Sequence, residues 1–145
     1  MSYQYDYPRP AVTVDIIVER EDGKILLIKR KNDPYKDHWA LPGGYMNIDE
    51  TLAEAASREL KEETNIDYSP YGLVPFGNYD AVDRDTRGRV ITAVFIATVE
   101  KNDIGKEKAQ DDAVDLSWFT EEEIRELPLA FDHSQILSDF LTDWS

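Results

Sequence analysis

Residues Gly43–Ile66 read GGYMNIDETLAEAASRELKEETNI, and the order of events inside this stretch decides the architecture around it. Pro42-Gly43-Gly44 is a strong breaker of regular structure. Thr51–Thr64 then contains no Gly or Pro and is dense in Ala, Leu, Glu, Arg and Lys, so a helix is expected there. Leu52, Ala56 and Leu60 recur every fourth residue and give that helix one apolar stripe. Glu54 and Arg58 have the spacing of a helical ion pair. Asn65 suits the helix end, because Asn tolerates the left-handed backbone found there.

On the N-terminal side, Ala11–Glu19 (AVTVDIIVE) is rich in β-branched residues and reads as a mostly buried strand. Asp22-Gly23 is a turn signal, and Lys24–Arg30 (KILLIKR) completes a hairpin. Lys31–Asp37 is a polar loop, and His38–Leu41 a short strand leading into the breaker. On the C-terminal side, strands are expected at Leu73–Tyr79, Val90–Glu100 and Ala113–Phe119, separated by the charged loop Asp80–Arg89 and the polar stretch Asn102–Asp112. Thr120 with Glu123 has capping-box spacing for a short helix. Asp132 to Gln135 repeats the pattern before a helix whose apolar face is Ile136, Leu137, Phe140, Leu141 and Trp144. The order β-β-β-α-β-β-β-α predicts a mixed α/β fold with helices able to cover both faces of a sheet.

The chain of 145 residues fits a single domain spanning 1–145. Its apolar runs, such as Ile25–Ile28 and Ala93–Ala97, are far shorter than a membrane span, and the polar start carries no signal-peptide pattern. A cytoplasmic protein with no membrane partner is therefore expected. The absence of cysteine excludes disulfides, thiolate metal sites and a thiol nucleophile. A net charge of −14 disfavours nucleic acid as a partner. It also sets a problem for an anionic substrate, which divalent cations between carboxylate and phosphate would resolve; read alone, the charge simply keeps a protein in solution.

Glu59, Glu62 and Glu63 stand at i, i+3 and i+4, so a helix places all three on one side. Like charges this close repel, and a cation converts that repulsion into affinity. Carboxylate oxygens are hard ligands that suit magnesium or manganese. Such an ion polarises a phosphoryl oxygen and activates a bound water. The simpler reading of the same spacing is a solvated acidic face balanced by Arg58 and Lys61.

The surroundings favour the metal. Gly44, Glu50, the run Arg58-Glu59-Leu60-Lys61-Glu62-Glu63 and Ile66 resemble the Nudix hydrolase signature over its whole length, approached by Trp39-Ala40-Leu41-Pro42-Gly43-Gly44. One position departs: Asn65 stands where the family usually has glycine, and Asn is the next best residue for a left-handed helix end. The resemblance implies a Nudix-type α/β/α sandwich, a mixed sheet between helices. It implies Glu59 and Glu63 as principal metal ligands, joined by Glu62, with Gly43 or Gly44 offering a backbone carbonyl. Glu50 and Arg58 would orient the ligands, with Arg58 also free to pair with Glu54. The family often adds a carboxylate from a loop as ligand or general base; Asp112 is favoured here, with Asp111 and Glu107 beside it.

Other segments resemble small ADP-ribose pyrophosphatases of the family: Tyr7-Pro8-Arg9-Pro10, the loop Asp83–Arg89, and Leu129-Ala130-Phe131-Asp132-His133. A proline that many of those enzymes carry beyond the signature is replaced here by Ala81 and Val82. Tyr3, Tyr5 and Tyr7 suit an adenine platform, an arm on a second subunit or a frayed end. Arg84, Arg87 and Arg89 are forked donors for phosphate or ribose, or else a solvated loop. His133 reads as a helix-start residue. The expected function is magnesium-dependent hydrolysis of ADP-ribose to AMP and ribose 5-phosphate by a homodimer. The alternatives are an ADP-ribose sensor without turnover, or a Nudix enzyme acting on nucleoside triphosphates, NADH or sugar nucleotides.

Overall fold

The computed structural model describes residues 4–100 and 113–143. Its centre is strand β1 (Ala11–Arg20), which turns at Asp22-Gly23 into β2 (Ile25–Arg30). Gly23 takes φ +89°, a conformation that favours glycine, and that lets the hairpin close. β1 pairs in parallel with all ten residues of β6 (Val90–Val99), and β6 pairs antiparallel with β5 (Val74–Tyr79).

On its other edge β1 meets β2 only at Glu19 opposite Ile25; further along it takes β4 (Gly43–Tyr45) at Thr13–Asp15. β2 takes β3 (Trp39–Ala40) and, on its far side, β7 (Ala113–Phe119). The sheet therefore splits between β1 and β2, and the chain from β3 to β4 crosses the split.

Alternation along β1 and β6 sends side chains to two cores. Val14, Ile16, Val18, Phe95 and Ala97 pack with Ala55, Ala56 and Leu60 of helix α1 (Leu52–Thr64). Ile17, Val94 and Ile96 pack on the opposite face with Ile124 of α2 (Glu121–Arg125) and with Ile136, Leu137 and Phe140 of α3 (His133–Asp143). Helices thus cover both faces of a mixed sheet, the α/β/α sandwich expected. Among the described residues no helix is long and apolar enough to cross a membrane.

Four local expectations change. Gly43-Gly44 does not merely break structure but forms β4, which lies so close to β1 that a Cβ on Gly43 would fall 2.1 Å from the Val14 carbonyl oxygen. Leu52 is 38% exposed, and Ala55 joins Ala56 and Leu60 on the buried stripe instead. Glu54 spends its carboxylate on the helix start: Thr51 Oγ1 accepts from the Glu54 amide, and Glu54 Oε1 accepts from the Thr51 amide. That reciprocal cap contributes about 1 kcal/mol, and it takes the place of the Glu54–Arg58 pair. Asp132 is drawn into an ion pair rather than a reciprocal cap. Trp144 lies outside the described residues.

Candidate active site

Both ends of α1 are pinned, by the Thr51 cap and by Asn65, which takes φ 67° and donates its amide to the Lys61 carbonyl. The phase of the helix is thereby set, and it turns Glu59 and Glu63 toward β4. Gly44 faces Glu59 so closely that a Cβ there would lie 2.5 Å from Oε2. The Gly43 backbone amide favours the charged form of the Glu63 carboxylate. Glu63 is 7% exposed, and its Oε2 has no hydrogen-bond partner among the described residues. Burial, and next the charge of Glu59, push the Glu63 carboxyl well above its ordinary range. Glu59 is raised too, by burial first, although Arg58 opposes this. Glu62 lies further out, 46% exposed, on the Arg58 guanidinium.

Arg58 gathers this wall. It donates to both oxygens of Glu50, to Glu59 at 2.8 Å, to Glu62 at 3.1 Å and to the Tyr45 carbonyl at 2.9 Å. The hydrogen bonds from Arg58 hold Glu50 below the usual carboxylate range.

These groups form one side of a cavity of about 340 Å³ lined by residues of β1, β2, β4, α1, the Arg84–Arg87 loop and the start of α3. In another part of the lining Arg84 is buried and forks onto Asp132 at 2.7 and 2.9 Å. Arg87 forks onto Asp85 at 2.8 and 3.0 Å, its guanidinium 5.3 Å from the Tyr45 ring and 5.2 Å from the Phe131 ring. Burial works against the Asp85 charge, but Arg87 outweighs it and holds that carboxyl low. At the floor, Thr92 Oγ1 donates to Asp15 at 2.6 Å, and His133 Nε2 stands 3.5 Å from the other Asp15 oxygen. Burial alone would raise Asp15, yet His133, Thr92 and Arg84 together hold it below its ordinary value.

The structure brings Gly43, Gly44, Arg58, Glu59, Glu63, Arg84 and Arg87 to this cavity, with Glu50 and Glu62 behind them on Arg58. Arg89 donates to the Ala81 carbonyl away from the cavity. Tyr7 is 79% exposed in a separate shallow depression made by Tyr5–Ala11. Asp112, Asp111, Glu107 and Tyr3 lie outside the described residues.

Sequence reading missed Asp15 and the cavity role of His133. The signal was there for Asp15: a lone acid inside AVTVDIIVE must be paired if the strand is buried. Among the described residues no three acids or histidines stand ready around one point. The orphaned Glu63 oxygen, buried beside Glu59 and faced by side-chain-free glycine, nonetheless fits a hard divalent cation.

A model of the NUDIX domain matches residues 9–140. The chain is 49% identical to the ADP-ribose pyrophosphatase of Methanocaldococcus jannaschii, over 93% of this chain and 75% of that one. A bifunctional NMN adenylyltransferase/ADP ribose pyrophosphatase of Francisella tularensis, solved with AMP and a manganese ion, superposes with a TM-score of 0.85 at 36% identity. The match covers 96% of this chain and 43% of that one, so this chain spans less than half of the bifunctional protein. The NUDIX domain of Shewanella oneidensis NrtR, solved with ADP ribose, superposes with a TM-score of 0.85 at 28% identity over 97% of this chain and 94% of that one. The chain belongs to the NUDIX family, as a pyrophosphohydrolase that retains the glutamates of the motif.

Proposed function

We propose that the protein hydrolyses the diphosphate of ADP-ribose to AMP and ribose 5-phosphate, with magnesium, or manganese in its place, held by Glu59, Glu63 and Glu62 and by the backbone of Gly43. The observation that carries this reading is the buried, unmatched Glu63 oxygen facing a cavity of nucleotide-binding size. A divalent cation at these carboxylates supplies charge neutralisation of the phosphoryl group and an activated water. The chain's own residues do the rest. Arg58 holds Glu59 and Glu62 in place from behind. Arg87 stands beside the Tyr45 and Phe131 rings with its Nε and Nη2 on Asp85, and its Nη1 is the donor for the substrate's anionic or ribosyl end. The aromatic rings bound that end. Asp112 is proposed as the loop carboxylate that receives the proton of the attacking water. The likeness to the M. jannaschii enzyme supports the substrate, and the net charge of −14 supports a small nucleotide over nucleic acid. The proposal includes a homodimer, which light scattering reads.

The NrtR likeness favours a second reading, an ADP-ribose sensor without turnover. A panel of ADP-ribose, NADH, sugar nucleotides and nucleoside triphosphates, each with and without magnesium, separates the two. Magnesium-dependent release of AMP from ADP-ribose is expected. Tight ADP-ribose binding with no turnover of any compound would replace the enzyme with the sensor, and turnover of another compound would replace the substrate.

A further inference from the structure

The chain ahead of α3 is stitched to β3 as a short parallel ladder. Trp39 donates its amide to the Pro128 carbonyl at 2.9 Å, and Ala130 donates to the Trp39 carbonyl at 2.8 Å. The next rung would run from the Leu41 amide to the Ala130 carbonyl. That carbonyl is taken, because the chain turns at Phe131 (φ 52°) and His133 donates its own amide to it at 3.1 Å. The Leu41 amide donates instead to His133 Nδ1 at 3.0 Å. A side chain therefore supplies the missing rung at the point where β3 runs on toward Gly43. The ring that does so is 3% exposed.

Both nitrogens of that ring are engaged. Nδ1 accepts from Leu41 and so carries no proton, and Nε2 points at Asp15, whose other oxygen is held by Thr92. The arrangement leaves no lone pair for a substrate or a water, which rules His133 out as a general base in this geometry. Packing does not account for it either, since burying imidazole and carboxylate side by side costs more than burying an aliphatic pair of equal volume. The network meets one segment at two points, by a hydrogen bond at Leu41 and by close approach at Gly43. His133 holds the Leu41 amide, and Asp15 Oδ1 lies 2.5 Å from where a Gly43 Cβ would stand. Between them, Pro42 accepts from the Ile16 amide at 2.8 Å. This is the segment that runs into Gly44, which lies against Glu59, and its Gly43 amide favours the charged form of Glu63.

We propose that His133 is a positioning residue: through Nδ1 it fixes Leu41–Gly43 in register with Glu63, and Asp15 fixes the ring. The inference rests on the glutamate wall being the reaction centre. It acts on placement of the centre, not on affinity for the nucleotide, and misplacement of about 1 Å is enough to cost on the order of 100-fold in rate.

The test compares His133→Leu, which keeps volume and removes the acceptor, with His133→Asn, whose amide oxygen can stand where Nδ1 stood. Three readings are taken on the full chain: kcat and KM on the nucleotide the wild type cleaves, amide exchange at Leu41 and Gly43 by NMR, and Mn2+ affinity by electron paramagnetic resonance. For His133→Leu a fall in kcat of about 10- to 100-fold is expected with KM little changed, together with faster exchange at both amides and weaker Mn2+ binding. His133→Asn is expected to recover most of each loss. Wild-type kcat and exchange in His133→Leu would overturn the proposal. So would a change in KM alone, or an Asn variant no better than Leu. If the wild type cleaves nothing in the panel, the hydrolase reading fails by itself, and the exchange and Mn2+ readings still decide the positioning role.

Discussion

The two walls of the cavity treat charge in opposite ways. On the arginine wall each cation has an aspartate of its own: Arg84 forks onto Asp132 and Arg87 onto Asp85. On the glutamate wall one guanidinium is shared among Glu50, Glu59 and Glu62, while Glu63 sits buried beside Glu59 with an oxygen that has no partner among the described residues. A stretch of protein selected for stability alone would look like the first wall. The second is held against its own repulsion by a capped helix and a tight glycine strand, and that is what a site completed by a cation requires. The difference separates the part of the cavity that maintains shape from the part that does chemistry.

Four experiments test that contrast. Glu63→Gln keeps the shape of the side chain and removes its charge. Turnover is expected to fall about 10³-fold, the loss of several kcal/mol of charge stabilisation, with an unchanged circular dichroism spectrum. Full activity would place the chemistry elsewhere. Arg84→Ala belongs to the other wall and is expected to act on stability. It strands the partly buried Asp132 carboxylate and should lower the unfolding free energy in urea by about 3 kcal/mol. A variant with wild-type stability and lost turnover would reverse the assignment of the walls.

Arg58→Lys retains charge but loses the fork that spans three carboxylates, so activity should drop by about 10- to 100-fold. The loss should appear in kcat and in metal affinity more than in nucleotide KM. The smallest effect is on pH dependence. Glu63 binds its proton more tightly folded than unfolded. It therefore stabilises the cation-free fold at low pH, and that contribution is lost as pH rises from the ordinary glutamate value of 4.5 through the raised one. Wild type should become progressively less heat-stable than Glu63→Gln across that rise, and added magnesium should close the gap. A constant difference in Tm at all pH values would remove the frustrated carboxylate from the argument.

The same contrast explains what could be read from the sequence. The glutamate wall was legible because its geometry is local: helical spacing turns positions 59 and 63 into neighbours, and the left-handed Asn65 ends the helix where expected. Arg58 does contact Glu59 and Glu62, but its tie to Glu50 rather than Glu54 depended on Glu54 capping its own helix. The arginine wall was not legible. Arg84 meets Asp132 across 48 residues, and no pattern in Asp83–Arg89 says which arginines line the cavity. Strand β4 was hidden for a related reason, since a Gly-Gly pair signals a break in isolation and a close approach only once β1 is beside it. The hairpin, α1, β6 and β7 were found nearly to the residue because hydrophobic period alone defines them.

The long-range ladder has a consequence in time. β1 and β6 join in parallel over ten residues from opposite halves of the described chain, and the Leu41–His133 bond closes a separation of 92 residues. Such contacts carry their full loop-closure entropy before returning any stabilisation, so they form late. During refolding, helical signal from α1 should rise first, and recovery of turnover should trail it, because the cavity exists only after the most distant parts of the chain have met.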